Sequence, residues 1–350
     1  MDTITHALLG AMAARATAPK APGADDISLK TRMAAGVTAA AFPDIDFFTR
    51  WIDKLSFITD WHRGITHSIV VLPVWAILLG FIFAIIARQP QQWRKFSLVA
   101  ALSLSTHIAT DLITSWHTII FSPLSDYRLS LDWTFIIDPI FSSIILMALL
   151  LAWWSKSHRL AQVGVLVLAA YIGLQAFWHQ QATGIADEYV RVQGWADARV
   201  AALPQPFSPL NWKLVISNGD GYQVSYLKLY SNRVTPLPNV AAASFWGMDD
   251  YYRPRNALRW QHYTRFGDKA LTKEVWRHPL LERFRRFAKY PMLYRIDEAG
   301  ARQCTWFSDL RFILPMRRQP FRYGLCRSDV GSAWQLYRLS RGSHNIREAL

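Results

Sequence analysis

Four short motifs bring histidine and aspartate together at spacings that suit a metal ion. In chain order they are Asp2-x3-His6, Pro43-Asp44-Ile45-Asp46, His62-Arg63-Gly64-Ile65-Thr66-His67-Ser68 and His107-x3-Asp111. His107 and Asp111 form the sharpest pair, because residues four apart lie on one face of a helix. Helix-borne zinc sites use this spacing for two ligands, and imidazole with carboxylate suits Zn, Mn or Fe. The alternative is a buried His–Asp hydrogen bond that packs two helices.

The other motifs leave more than one interpretation open. Alternating Asp44 and Asp46 point to opposite sides in an extended stretch, which favours one direct ligand unless the turn is tight. Solvated carboxylates at a helix end are the alternative. Gly64 allows His62 and His67 to meet at one ion or at two. His6 is expected as a ligand because the other motifs converge with it; alone it would be interpreted as a core histidine.

Three residues near these motifs suggest catalysis. The Arg63 guanidinium matches phosphate oxygens and is expected as an anion clamp, with an interfacial cation as the alternative. Asp132 is expected as a general base or as a support for a ligand, and Asp46 as a bridge or proton acceptor. A divalent ion lowers the pKa of a bound water and polarises an ester oxygen.

We therefore predict one to three divalent ions, with Zn²⁺ as the first choice, and hydrolysis by a metal-activated water. The predicted catalytic residues are Asp46, Asp132 and Arg63. The predicted metal ligands are His6, Asp44, His62, His67, His107 and Asp111.

The elements that position these residues are strongly apolar. Hydrophobic residues make up 51% of the 350-residue chain and charged residues 18%, which excludes intrinsic disorder and argues against a wholly soluble enzyme. A spanning helix needs about 20 apolar residues. Four runs approach that length: Ile69–Ala87, Phe96–Ile113, Phe135–Trp154 and Leu160–Trp178. With two shorter N-terminal helices over Ile4–Ala18 and Met33–Phe42, they predict an α-helical multi-pass membrane domain over residues 1–179.

Basic residues alternate between the turns of this domain. Nine lie in one set of turns: Arg15, Lys20, Lys30, Arg32, Arg88, Arg94, Lys95, Lys156 and Arg159. The opposite turns hold four: Arg50, Lys54, Arg63 and Arg128. The positive-inside rule places the nine-residue side in the cytoplasm, and long following domains translocate largely regardless of charge. The sequence thus predicts a membrane protein whose motifs and C-terminal domain lie on the extracytoplasmic side.

Residues 180–350 hold +12 of the net charge of +14. They predict a linker over 180–210, rich in proline, and a basic α+β domain over 211–350, with a hairpin around Asn218-Gly219-Asp220-Gly221. The only cysteines, Cys304 and Cys326, exclude a disulfide scaffold and a four-thiolate zinc site, and leave their pairing open. The basic surface suits anionic head groups or envelope polymers, or is an ordinary surface. No nucleic acid partner is expected.

In this order, the four motifs resemble the bacterial membrane-bound, metal-dependent hydrolase family of the YdjM/YbcI type. The resemblance covers about residues 1–140 in motif and 1–179 in helix layout. It implies an inner-membrane protein and a metal-dependent hydrolase. The Pro-Asp and His-x3-Asp elements are also distantly similar to those of zinc-dependent phospholipase C and related nucleases, which implies phosphoester hydrolysis on a multinuclear zinc site. Those enzymes usually add a glutamate, and residues 1–179 contain none.

Two other classes remain open from the sequence. One is a non-catalytic membrane protein with a structural metal, or a transporter that uses intramembrane His and Asp as an ion path. The other is an envelope assembly factor. A catalytic metal site keeps an open position, whereas a structural site is closed. Motifs at one end of the helices favour the hydrolase, with a membrane lipid, a lipid-linked phosphoester or another envelope component as the substrate.

Overall fold

The computed structural model describes every residue except 21–22, 24–25, 235–245, 268–269, 300–301, 318, 330, 340–346 and 350. The chain divides into two compact units. The helical unit comprises Met1–Thr49 and Asp60–Phe177, and the sheet unit comprises Arg50–Thr59 and Trp178–Leu350.

Two short helices open the helical unit and approach each other closely. Helix α1 spans Thr3–Ala16 and begins at Asp2, whose side chain accepts a hydrogen bond from the Thr5 amide at 3.0 Å. Helix α2 spans Leu29–Ala41. A Cβ atom added to Gly10 would lie 2.3 Å from the Gly36 carbonyl oxygen, so only glycine permits this contact. The two helices therefore pack backbone against backbone.

Tight turns follow α2. A 3₁₀ segment, Phe42–Trp51, starts directly at the end of α2, where Pro43 cannot continue the α-helical hydrogen bonding. Helix α3 (Lys54–Ser56), a π turn (Phe57–Trp61) and a second 3₁₀ turn (Ile65–His67) lead to helix α4 (Leu72–Ile86).

Three longer helices complete the unit. Helix α5 spans Trp93–Leu112, α6 spans Pro139–Trp154 and α7 spans His158–Gln193. A small hairpin between α5 and α6 pairs β1 (Thr118–Ile119) with β2 (Arg128–Leu129). One core forms among α2, α4 and α5, and a second forms among α1, α6 and α7. The ends of α1 and α5 are thereby held in fixed positions.

The expectation of four long spans is wrong. Among the described residues, α7 is the one helix long and apolar enough to cross a membrane, and a second crossing is counted only if Lys54–His67 and α4, bent by 69°, are one span. An apolar run is not a helix of equal length: three residues of the Ile69–Ala87 run precede α4, and four residues of the Phe135–Trp154 run precede Pro139. Helix α5 is long enough, but polar residues lower its hydropathy.

The sheet unit contains two antiparallel sheets and short helices. The first sheet has the order β3-β4-β5-β6, with strands Arg199–Pro204, Asn211–Asn218, Gly221–Lys228 and Gln261–Thr264. Helices α8 (Ala270–Arg277) and α9 (Glu282–Phe287) follow. The second sheet has the order β11-β10-β9-β8-β7. In chain order from β7, its strands are Pro291–Ala299, Arg302–Asp309, Tyr323–Arg327, Gln335–Leu339 and Arg347–Ala349.

This unit has the α+β character expected of the C-terminal part, and the hairpin at Asn218–Gly221 joins β4 to β5. The range expected as a linker, 180–210, holds the end of α7 and all of β3. Cys304 and Cys326 face each other across β8 and β9 and form a disulfide, with their Cα atoms 4.1 Å apart. The disulfide lies in the core with Trp306.

Candidate metal centre

Four elements of the helical unit bring their polar residues to one point. Helix α1 supplies His6 near its start, and the last two turns of α5 supply His107 and Asp111. The turn after α2 supplies Asp44, and the turn before α4 supplies His67. All of these except Asp44 are fully buried, whereas the Asp44 side chain is 14% exposed. Asp44 therefore marks the side from which solvent reaches the centre.

Two overlapping groups of three residues could each hold an ion. One is His67, His107 and Asp111, and the other is His6, Asp44 and His107, with ligand atoms within 4.8 Å of one another in each group. Asp111 Oδ2 lies 3.2 Å from His67 Nε2 and 3.4 Å from His107 Nε2. Asp44 Oδ1 lies 3.8 Å from each of these two nitrogens. His107 belongs to both groups, and its ring stacks on that of His6.

Neighbouring hydrogen bonds fix the protons of two histidines. His107 Nδ1 lies 2.6 Å from the Ala40 carbonyl oxygen, which can only accept, so Nδ1 carries the proton. Thr66 donates its hydroxyl proton to Asp46, and its oxygen lies 2.9 Å from His67 Nδ1. Because that proton is already used, the Thr66 oxygen accepts from His67, and Nδ1 of His67 carries the proton. The Nε2 atoms of His67 and His107 therefore both present lone pairs, yet they lie 3.0 Å apart.

The protonation states suit a cation. Burial lowers the pKa of His6 well below its ordinary value, so the imidazole is neutral at pH 7. Burial alone would raise the pKa of Asp111, but the Arg63 guanidinium, the Met1 ammonium paired with Asp111, and the neighbouring His6 and His107 together outweigh burial, and the net pKa lies well below the ordinary value. Asp111 is thus a carboxylate, and its Oδ2 atom is buried without a hydrogen-bond donor.

Asp46 supports the site from behind. Its Oδ1 atom accepts from His62 Nδ1 at 2.9 Å, and its Oδ2 atom accepts from the Arg63 amide at 2.9 Å. Its Oδ2 atom also lies 3.4 Å from His67 Nδ1. Asp46 and His62 stand outside both ligand groups, so the structure does not bring His62 to the ion positions with the other five predicted ligands.

Arg63 holds Asp111 from within the protein. Its side chain is 1% exposed, and its Nη2 atom lies 2.8 Å from Asp111 Oδ1. Its Nη1 atom donates to Thr114 Oγ1 and to the Trp116 carbonyl oxygen. Its backbone has φ +58°, a region that side-chain-bearing residues rarely adopt. These contacts are all with groups of the protein, and the anion clamp expected from the sequence stays a prediction.

The remaining carboxylates have other surroundings. Asp132 is 6% exposed in the loop after β2 and belongs to neither ligand group. Asp138 caps α6 through the amides of Ile140 and Phe141. Its Oδ2 atom also accepts hydrogen bonds from Tyr171 and Gln175 of α7.

Sequence reasoning missed the small hydroxyl residues that orient the ligands. Thr3 donates to Asp44 Oδ2 at 2.6 Å, Thr66 fixes His67, and Thr110 lies 3.3 Å from His6 Nδ1. Thr66 and Thr110 directly precede His67 and Asp111 in the sequence, and this adjacency could have indicated their role. Ala40 gave none, because only its carbonyl group takes part.

The donor set fits a divalent cation. The unprotonated Nε2 atoms of His67 and His107 and the ionised Oδ2 atom of Asp111 lie close together, and none of the three carries a proton that it could donate to the others. Histidine nitrogen and aspartate oxygen are ligands that zinc and other first-row metals accept, and hydrogen bonds from the far side of each ring are typical of metal-bound histidine.

Comparisons with known proteins find matches to the N-terminal half of the chain. Residues 1–182 match a family model described as YdjM inner membrane protein. The chain is 26% identical over 179 residues to a Bacillus subtilis (strain 168) protein described as "Uncharacterized protein YfhP". That alignment covers 51% of this chain and 53% of the relative, so the chain spans about half the length of that curated relative. No solved structure matches significantly.

Proposed function

We infer that this chain, which belongs to the YdjM inner membrane protein family, is a membrane-bound metal-dependent hydrolase acting on a phosphoester. The cluster of His6, Asp44, His67, His107 and Asp111 is proposed to hold one or two divalent ions, with Zn²⁺ as the first choice. The substrate class proposed is a lipid or a lipid-linked envelope molecule.

One observation carries this proposal. In the neutral tautomers that their Nδ1 contacts indicate, the Nε2 atoms of His67 and His107 carry no proton, and they lie 3.0 Å apart and within 3.4 Å of the Asp111 Oδ2 atom. Buried lone pairs that face one another are costly unless a positive charge lies between them. A structural hydrogen-bonded pair, the alternative for His107 and Asp111, would have a donor in this position.

When bound, a divalent ion would lower the pKa of a water molecule and polarise a phosphoryl oxygen. The residues of this chain would do the rest. Asp44, the one partly exposed residue of the cluster, would face the substrate. Arg63 and Asp46 would keep Asp111, His62 and His67 oriented, and His62, 16% exposed and held by Asp46, would accept and return a proton.

We also propose that the sheet unit lies on the outer side of the inner membrane. The disulfide between Cys304 and Cys326 supports this location, because disulfides persist in the oxidising periplasm or cell exterior and are rare in the cytosol.

Metal analysis of the detergent-purified full chain tests the metal site. We expect at least one ion per chain in wild type, and loss of that ion in His107→Ala and in Asp111→Ala. His262→Ala, which removes an exposed imidazole of β6, is the matched control and should keep the metal. Wild-type protein free of stoichiometric metal, prepared without chelators, would contradict the proposal.

A structural metal site is the second candidate, and burial favours it. His6, His67, His107 and Asp111 are each 0% exposed, as in a closed site. Hydrolysis of bis(p-nitrophenyl) phosphate separates the two candidates. Metal-dependent turnover that Asp44→Asn abolishes supports the hydrolase, whereas bound metal without turnover on phosphodiester probes supports the structural site.

A further inference from the structure

A pocket rich in positive charge lies at the other end of the helical unit. It encloses about 180 Å³, and five of its lining residues are basic: Arg15, Lys20, Arg32, Lys156 and His158. None of the described residues that line it is acidic. The arrangement differs from an ordinary basic surface, because the charges converge on one concavity.

The pocket is remote from the metal centre. Arg15 lies in α1 nine residues after His6, which corresponds to about 14 Å along the helix axis. Arg32 lies in the first turns of α2, and Lys156 and His158 lie between α6 and the start of α7. The pocket is therefore formed where the ends of α1, α2, α6 and α7 meet, away from the histidine–aspartate cluster.

Exposed tryptophans mark the depth of this end in a membrane. Trp153 and Trp154, the last residues of α6, are 75% and 84% exposed. Tryptophan is enriched at membrane–water boundaries, at the level of the lipid head groups. A pocket beside this pair therefore lies at the depth where phospholipid phosphates lie.

Two of the basic side chains in the pocket also cap helix ends. The Arg15 guanidinium donates to the Ala152 carbonyl oxygen, and Arg32 donates to the carbonyl oxygens of Ala14 and Thr17. These contacts hold both guanidinium groups in place. Asp26 lies near Arg32, but its carboxylate pairs with Lys95 at 2.6 Å.

Capping leaves two buried polar atoms unexplained. Arg15 is 5% exposed, and its Nε atom has no hydrogen-bond partner among the described residues. The same holds for Nε2 of His158 within the described part of the chain. A buried cation without a counter-charge is strongly disfavoured, so this concavity suits an anion.

We propose that the pocket binds one phosphate group, either the phosphodiester of an anionic phospholipid or free inorganic phosphate. Guanidinium groups bind phosphate oxygens through paired N–H donors, and lysines add attraction as point charges. This site is independent of the proposed hydrolase activity, since it shares no residue with the metal centre.

The full chain in detergent allows a direct test by native mass spectrometry. Phosphatidylglycerol and phosphatidylcholine are the lipid probes, and calorimetry with sodium phosphate is the separate probe for the free anion. The pocket variant is Lys20→Gln/Lys156→Asn, in which asparagine tolerates the φ of +53° at position 156. The matched control is Lys30→Gln/Arg159→Gln, which removes two exposed charges outside the pocket.

We expect phosphatidylglycerol to stay bound in preference to phosphatidylcholine, with a loss of about 30-fold in affinity in the pocket variant and under twofold in the control. Calorimetric binding of phosphate with the same dependence on the pocket variant, without lipid selectivity, would identify free phosphate as the ligand. Equal losses in both variants, or no binding of phosphatidylglycerol or phosphate, would overturn the proposal. Lys156→Glu provides a second variant, with a larger expected loss.

Discussion

The side chains of the candidate metal centre owe their placement to residues that would not touch an ion. His107 is fixed by a backbone carbonyl, His67 by Thr66 and Asp46, and Asp111 by Arg63. The His-x3-Asp spacing of α5 could be read from the sequence, because helical geometry is local. The role of the Ala40 carbonyl could not be read, because it depends on how α2 packs against α5.

Asp46 provides a prediction at this scale. Asp46→Asn should weaken metal binding about 10- to 100-fold, because the amide no longer provides a carboxylate to accept from His62 and His67. Competition with a fluorescent zinc chelator measures the affinity. Asp126→Asn, at an exposed position, is the control and should bind metal as wild type does. Unchanged affinity in Asp46→Asn would show that its hydrogen bonds do not orient the ligands.

Lys213, in β4, predicts a pH dependence of stability in the sheet unit. Its ammonium is fully buried and donates to the Leu310 and Ile313 carbonyl oxygens, and burial lowers its pKa from 10.5 to about 7. Between pH 7 and 10.5 the unfolded chain holds a proton that the folded chain has lost. Stability should therefore rise with pH across this window, by up to about 5 kcal/mol, and be level below it.

Urea unfolding at pH 7.5, 8.5 and 9.5 measures this slope. Lys213→Met should flatten it because the titrating group is gone, and should lower stability at pH 9.5, where two buried carbonyl groups lose their donor. Lys273→Met removes a half-exposed ammonium from α8 and should leave the slope intact. A wild-type midpoint that falls as pH rises would contradict the assignment.

The contact between α1 and α2 controls the site at the scale of elements. Gly10 and Gly36 let the two backbones touch, and this contact positions His6 on one helix and the Ala40 carbonyl on the other. This close contact was not predicted from the sequence, and the lengths of the apolar runs gave wrong helix lengths. Hydropathy depends only on composition, so it does not show where a helix begins. The starts of α4 at Leu72 and of α6 at Pro139 depend on local backbone geometry.

Gly10→Ala should therefore destabilise the helical unit by about 1–3 kcal/mol and lower its metal content, because a methyl group would meet the Gly36 carbonyl at 2.3 Å. Thermal unfolding in detergent and metal analysis measure the two effects. Gly173→Ala in α7 is the control: nothing lies within 4 Å of the added carbon, and alanine favours a helix over glycine by about 1 kcal/mol. A stable, metal-replete Gly10→Ala protein would show that the helices can separate without cost.

At the scale of the whole molecule, the two units divide the charge and the chemistry. The helical unit carries the histidine–aspartate cluster, while the sheet unit carries most of the net charge and the disulfide. Composition alone separated these parts near residue 178. The pairing of Cys304 with Cys326 could not be read from sequence, because it depends on the register of β8 against β9.

The disulfide gives a prediction about the location of the sheet unit. Cells are quenched with acid, and their proteins are then denatured and treated with a thiol reagent. Cys304 and Cys326 should be labelled only after reduction, because an outer location keeps them oxidised. Expression of the chain in a strain lacking periplasmic disulfide catalysis should make both cysteines reactive without a reductant. Free thiols in wild-type cells would place the sheet unit in the cytoplasm.

The burial of the histidine–aspartate cluster has a kinetic consequence. With four of its five members sealed and Asp44 alone touching solvent, an ion could leave only when the turn Phe42–Trp51 opens. Exchange would then follow the rate of that local opening, so the protein should keep its metal through a brief wash with chelator and release it over hours as temperature rises.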